Sequence, residues 1–411
     1  MTESQAMRGG GTTREEGDRS YPGWRVVLVC FVLAVFSWAF GFYGQSVYVA
    51  QLSALHGWPV ATVASAATIY YLTSAVLVAF AGDALARIGP RRVIGLGILF
   101  LAAGVAATGQ ARTLPQAYGA YMLLACGWAA TSIAAITSAI GTWFEAKRGL
   151  AISLALNGAS AGGVLGAPML VWASDHLGFA AALALGGGIM LAVVGPLLLF
   201  AWPADLPPAR AETGPVATGS AMRGRALRLP AFWTMSLAFA AGLFVQVGFI
   251  VHLVTMITPI AGSRAAGIAV SATAVAAVVG RLALGTVVDR LDPRAAGAGS
   301  LAIQVVALLI VAAAGTYPLL LAGCILFGLS VGNLITLPAL IVHREFDAAA
   351  FGTVISLSTA IGQVVYAFGP GALGWLRDAS GGYGLALVIC AAIDLGAAAL
   401  VLAGRRRRAA V

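Results

Sequence analysis

Gly82-Asp83-Ala84-Leu85-Ala86-Arg87-Ile88-Gly89-Pro90-Arg91 and Gly285-Thr286-Val287-Val288-Asp289-Arg290-Leu291-Asp292-Pro293-Arg294 are two copies of one pattern, G-x-x-x-[AD]-R-[IL]-[GD]-P-R, set 203 residues apart. A second pair has the same offset: Trp172 to Asp175 and Trp375 to Asp378 both read W-x-x-D. Two separated pairs at one spacing mark an internal duplication of about half the chain. Each copy lies between long apolar runs, and the offset skips an even number of them, so the two halves share one orientation. Parallel halves of this kind are expected to hold a site between them near a membrane midplane.

The apolar runs set the environment. Of 411 residues 60% are hydrophobic and 9% charged, with a mean hydropathy of +0.93, against about 25% charged for a soluble domain. That excludes a water-soluble fold. Stretches long enough to cross a bilayer at about 20 residues each fall at 24–46, 60–82, 93–110, 116–141, 149–172, 179–201, 231–256, 266–288, 297–314, 318–342, 350–374 and 383–403. The sequence therefore predicts an all-α membrane protein with twelve transmembrane helices in two parallel six-helix repeats. The runs are continuous, without the alternation of a membrane β-barrel. The predicted division is an N-terminal tail (1–23), a first bundle (24–201), a Pro- and Gly-rich linker (202–230), a second bundle (231–403) and a basic tail (404–411). The first run is too long for a secretory signal and lacks a small-residue cleavage site, so it reads as a retained helix. Cys30, Cys126, Cys324 and Cys390 each sit singly in an apolar run and read as packing residues.

The net charge of +9 has a topological explanation. Of the 24 Lys and Arg residues, 20 fall on the side that holds both termini and the linker, three (Arg112, Arg264, Arg377) on the other, and one, Arg281, inside a span. Cytoplasmic loops hold the excess of cations, so both termini are expected in the cytoplasm, with the chain in a bacterial inner membrane. No nucleic-acid partner is implied.

Over nearly its whole length the sequence resembles the major facilitator superfamily, whose loop signature G-x-L-x-D-R-x-G-R-R is similar to both copies of the opening pattern. The resemblance implies a gate built from Gly82, Asp83, Arg87 and Arg91 in the first half and Gly285, Asp289 and Arg290 in the second, with acids and arginines at helix ends. The first copy has Ala86 where the family has Asp. Within the superfamily, Trp143-Phe144-Glu145-Ala146-Lys147-Arg148-Gly149-Leu150-Ala151, followed by Asn157-Gly158 and Gly162, resembles the fifth-helix signature of monocarboxylate porters and oxalate/formate exchangers. Pro22-Gly23-Trp24 is similar to the same group. Small residues recur along spans five (Gly158, Gly162, Gly166) and eleven (Gly362, Gly369), where they permit close contact and bending.

Arg281 carries most of the functional reading. A charge inside a span is costly and is by default a functional-site candidate, and a permanently protonated guanidinium suits a fixed post for a carboxylate better than a proton carrier. In the resembling family an eighth-helix arginine binds substrate carboxylate, and Arg281 stands at the corresponding place. Phe42 stands where proton-coupled members have a lysine, Ala277 where they have an aspartate, and Gln363 where dicarboxylate exchangers have a lysine. One fixed cation matches a monoanion. Tyr43, Gln45, Tyr70, Tyr71, Gln246, Asn333 and Gln363 are further candidates for substrate binding, set against helix packing, which polar residues also serve. His252 and Asp394 are the candidates for proton coupling. The sequence has no phosphate loop, clustered metal ligands or nucleophile with its base, so neither an enzyme nor an ATP-driven pump is expected, and no cofactor or metal. The expected function is secondary active transport of a small organic monocarboxylate by alternating access, by a monomer whose partners are the anionic substrate, protons or a counter-anion, and membrane lipid. The alternative is an efflux permease for a drug, metabolite or inorganic toxicant on the same fold.

Overall fold

The computed structural model of the chain describes residues 16, 18, 20–203, 219–287, 290–346 and 350–404. Eleven segments among them are long and apolar enough to cross a bilayer: α1 (Gly23–His56), α2 (Val60–Ile88), α3 (Pro90–Gln110), α4 (Leu114–Gly141), α5 (Arg148–Leu177), α6 (Phe179–Ala201), Pro230–Val287, α9 (Pro293–Ala313), α10 (Tyr317–Glu345), α11 (Phe351–Ser380) and α12 (Tyr383–Ala403). Pro230–Val287 is two helices, α7 (230–261) and α8 (263–287), that reverse at Gly262, whose φ of 84° lies in the region glycine adopts freely. The total is the twelve expected from hydropathy, and the chain is a multi-pass membrane protein.

The duplication is written into the backbone. Thr113 and Thr316 precede α4 and α10 with φ/ψ of −132°/154° and −134°/152°. Pro90 and Pro293 sit in the first turns of α3 and α9, where a missing N–H costs nothing. Gly178 and Gly381 end α5 and α11 with φ of 82° and 74°. Each pair repeats the 203-residue offset of the opening pattern.

Helix ends differ from the apolar boundaries. Gly82 to Arg87 occupy the last turns of α2 and Gly285 the last turn of α8, rather than loops, and Gly89 alone joins α2 to α3. Hydropathy marks where lipid ends, whereas backbone hydrogen bonding carries a helix on into water. For the same reason α1 runs on to His56.

By packing, the described residues fall into two units, one within Met1–Gly44, Thr73–Gly166 and Trp172–Thr213, the other within Gln45–Leu72, Ala167–Val171 and Gly214–Val411. In the first, Gly158, Gly162 and Gly166 lay one face of α5 on α1. A β-carbon at Gly158 or Gly162 would collide with the Phe31 or Val35 carbonyl, and one at Gly166 would come within 2.5 Å of the Ala39 methyl. Where Gly166 packs, α1 loosens into a π-turn at Ala39–Tyr43, a distortion that frequently marks functional sites. In the second unit, Gly280, Gly328 and Gly332 bring α8 onto α10: β-carbons at Gly280 and Gly328 would strike the Leu329 and Thr273 carbonyls. Phe232, Met235, Phe239, Leu301, Leu334, Leu337, Ile341 and Val401 fill its core.

Candidate functional site

Arg281 emerges from the glycine seam between α8 and α10. A β-carbon on Gly332 would lie 2.8 Å from Arg281 Nε and 2.9 Å from the Ala277 carbonyl, so the bare glycine leaves the space in which the side chain lies. The residue is exposed, and among the described residues its guanidinium makes no ion pair or hydrogen bond. Its five N–H donors and its charge are available to an anion.

The other expected binding residues divide into groups. Tyr43 lies in the π-turn of α1, buried, its ring 5.1 Å from that of Phe42. In the second unit Gln45 is fully buried, and Tyr70 and Tyr71 pack edge to face at 4.8 Å. Tyr71 in turn meets Tyr366 of α11 at 5.5 Å. Gln363, half-buried, is one turn before Tyr366 on the same face of α11. Gln246 and Asn333 are turned to α9: Gln304 Nε2 donates to Gln246 Oε1 at 3.4 Å, and Asn333 Nδ2 donates to Ser300 Oγ at 3.3 Å. These two amides join helices within one bundle.

At the end of the second unit remote from the termini, α2 is tied to α11 and α7. Asp378 Oδ2 accepts the Ala61 backbone N–H at 2.8 Å, satisfying an amide in the first turn of α2, while its Oδ1 pairs with Arg377 at 2.6 Å. Gly371 N–H donates to Thr68 Oγ1 at 3.2 Å. A β-carbon on Gly374 would sit 2.9 Å from Ala61 Cα and 3.3 Å from the His252 ring. His252 is fully buried, with Nε2 2.9 Å from the Pro370 carbonyl and Nδ1 2.9 Å from the Tyr383 hydroxyl. The carbonyl only accepts, so Nε2 carries a proton, while Nδ1 pairs with a hydroxyl that can donate or accept. The imidazole is thus committed at both nitrogens. Capping a first-turn amide contributes about 0.5–2 kcal/mol, so Asp378→Ala is expected to speed amide hydrogen exchange at Ala61 about tenfold in lipid nanodiscs. Exchange unchanged from wild type would remove Asp378 from this role.

In the two units the expected gate residues behave unequally. Arg91 donates from Nε to the Leu198 carbonyl and from Nη2 to the Leu199 carbonyl, both at 3.0 Å. Its repeat counterpart Arg294 donates to the Val401 carbonyl at 3.0 Å, and Leu198 and Val401 are themselves 203 residues apart. Arg294 does more, however. It is 1% exposed and grips Glu345 by two parallel bonds of 2.7 and 2.9 Å, with further bonds to Thr234 Oγ1 at 3.2 Å and the Ala231 carbonyl at 2.9 Å. Asp83, Arg87 and Arg290 are exposed and make no ion pair or hydrogen bond among the described residues. Gly82 and Gly285 face open space, so no close helix approach is made there. Asp289 lies outside the described residues. The repeated pattern ends on Arg294 and pairs it with Arg91, but Arg294 was not among the expected gate residues, and Glu345, whose counterpart at position 142 is a threonine, has no signal in the repeat.

Comparison with known proteins gives a consistent picture. The profile of the Major Facilitator Superfamily matches residues 28–370. The uncharacterized MFS-type transporter YcxA of Bacillus subtilis (strain 168) is 25% identical over 382 residues, covering 89% of this chain and 91% of that protein. Monocarboxylate transporter 11 of Mus musculus is 31% identical over 337 residues, 76% of this chain and 72% of its own length. Among solved structures, a bacterial homolog to the human lysosomal transporter Spinster, in an inward-facing and unoccupied conformation, aligns with a TM-score of 0.73 at 15% identity, covering 95% of this chain and all of that one. Its occupied form gives 0.72 at the same identity, with 94% and 96% covered. At that identity the likeness is one of fold.

Proposed function

We propose that this chain, which belongs to the major facilitator superfamily, moves a small organic monocarboxylate across a bacterial inner membrane by alternating access, with Arg281 as the fixed cation that takes the carboxylate. The observation that carries the reading is an exposed guanidinium, on a membrane-crossing helix, whose donors are all free of protein partners among the described residues. A single uncompensated positive charge selects one negative charge, and its planar fork fits the two oxygens of a carboxylate. The similarity to a mouse protein named as a monocarboxylate transporter supports the cargo class. Within the second unit, Gln45, Tyr70, Tyr71 and Gln363 are the side chains proposed to shape the rest of the site. The excess of arginine on the side of the termini supports their placement in the cytoplasm.

The test is uptake of labelled lactate into proteoliposomes, with acetate, pyruvate and succinate as competitors. The reading expects saturable uptake inhibited by the monoanions and far less by the dianion. No saturable flux of any of them, or equal competition by succinate, would sink it. Gly332→Val probes the post indirectly: the added side chain displaces Arg281, and KM for lactate is expected to rise at least tenfold. An unchanged KM would mean that the seam does not position the guanidinium.

A further inference from the structure

We propose that Asp394 of α12 is a proton-binding site of the transport cycle, deep inside the second bundle; the inference rests on the transport reading above and adds to it the ion that travels with the anion. Asp394 is fully buried, and neither carboxyl oxygen has a hydrogen-bond partner. Its Oδ1 lies 3.8 Å from where a β-carbon on Gly242 of α7 would stand, a point that Leu301 of α9 and Leu334 of α10 close off at 2.6 and 3.1 Å. The glycine thus lets the carboxyl face α7 at the meeting point of four helices.

This meeting point lies on a polar seam. Gln246 is four residues, one turn, from Gly242 on α7, and Gln304 is three residues from Leu301 on α9, so the Gln246–Gln304 bond lies about one turn from the carboxyl. Asn333, the neighbour of Leu334, is bonded to Ser300, the neighbour of Leu301. Gln304 Oε1 and Asn333 Oδ1 are buried without partners. Like the two oxygens of Asp394, they are buried acceptors without a donor. Leaving a buried polar atom unsatisfied costs about 1–3 kcal/mol, and more when it is charged. A proton on Asp394 removes the charge and turns one of its oxygens into a donor.

No charged group among the described residues pairs with Asp394. The charged and titratable groups on the helices packed against α12 or closing on its carboxyl are His252 on α7, Arg294 on α9, Tyr317, Cys324, His343, Arg344 and Glu345 on α10, and Arg377, Asp378 and Tyr366 on α11, with Cys390 and Tyr383 on α12 itself. His252 is bonded to Tyr383 and Pro370, Arg294 to Glu345, and Arg377 to Asp378. Loading is one proton added to one carboxylate, and with one bound monocarboxylate the protein then carries no net charge across the membrane in a turnover.

Two measurements test this. Infrared difference spectra of the wild-type protein in nanodiscs between acid and alkaline pH should contain a protonated-carboxyl C=O component that disappears in Asp394→Asn; this readout needs no cargo. Lactate uptake into proteoliposomes should rise several-fold under an acid-outside pH gradient in the wild type and lose that response in Asp394→Asn, while lactate exchange at equal pH persists. Identical titrating bands in the wild type and in Asp394→Asn overturn the proposal. So does a variant that still responds to the gradient, or sodium-stimulated uptake at fixed pH that Asp394→Asn abolishes, which assigns the site to a metal cation. If neither protein moves lactate or any other monocarboxylate, the transport reading fails instead, and the infrared band alone decides whether Asp394 binds a proton.

Discussion

Arg281→Ala protein, reconstituted at wild-type levels, is expected to take up lactate at least tenfold more slowly than wild type, with its thermal unfolding temperature unchanged. The two halves of that expectation come from one observation: Arg281 makes no hydrogen bond or ion pair within the described structure, so the fold loses nothing when the guanidinium is removed. A bound carboxylate loses two charge-assisted hydrogen bonds, each contributing about 1.5–3 kcal/mol, and about 1.4 kcal/mol is already a factor of ten. Arg281→Lys separates charge from shape. The ammonium keeps the attraction but lacks the rigid fork, so its uptake should fall between those of alanine and wild type. Unchanged uptake in Arg281→Ala would dismiss the site. Equal losses of flux and of thermal stability would mean that the arginine holds α8 in place rather than holding cargo.

How much of this was legible in the sequence depends on the kind of contact. Helix number and the duplication were, because both are one-dimensional signals: apolar length, and recurrence at an offset of 203. The recurrence extends to features that composition does not display, such as the matching turns at Thr113 and Thr316. The direction of a polar side chain was not legible. Gln246 and Asn333 have the residue type of a cavity lining, yet each is turned to a partner on α9, and in an apolar helix no periodic signal tells which neighbour a polar face will meet. The Asp378–Ala61 cap spans 317 positions of chain. The W-x-x-D repeat flagged Asp378 without showing its partner, because a cap made by another helix leaves no local trace beside the helix it serves. The gate pattern was legible as a motif and misplaced as a loop, since its charges lie past the apolar stretch while still on the helix.

The contrast between Arg91 and Arg294 gives the largest stability effects expected from single substitutions. Both come from the same position of the duplicated pattern and bond to equivalent carbonyls, but among the described residues only Arg294 has a carboxylate; position 142, where the first half would place the counterpart of Glu345, is a threonine. Arg294 is nearly fully buried and ties the ends of α7, α9, α10 and α12 together through Ala231, Thr234, Glu345 and Val401. Removing one partner of a buried pair costs about 3–5 kcal/mol, since the other charge is left stranded. Glu345 keeps some contact with solvent, with 31% of its side chain exposed, which places Arg294→Ala near the lower end of that range. Glu345→Ala strands the guanidinium itself, the more deeply buried partner, and should cost more. Arg91→Ala forfeits two bonds at a partly exposed site and should cost less than half as much as Arg294→Ala. Arg294→Met combined with Glu345→Leu removes both charges and keeps the volume, and should recover most of the lost stability. Thermal unfolding of the five proteins in one nanodisc preparation checks the order. If Arg294→Ala is no worse than Arg91→Ala, or if the double variant is as unstable as Glu345→Ala, the junction is held by packing and the ion pair contributes little to it.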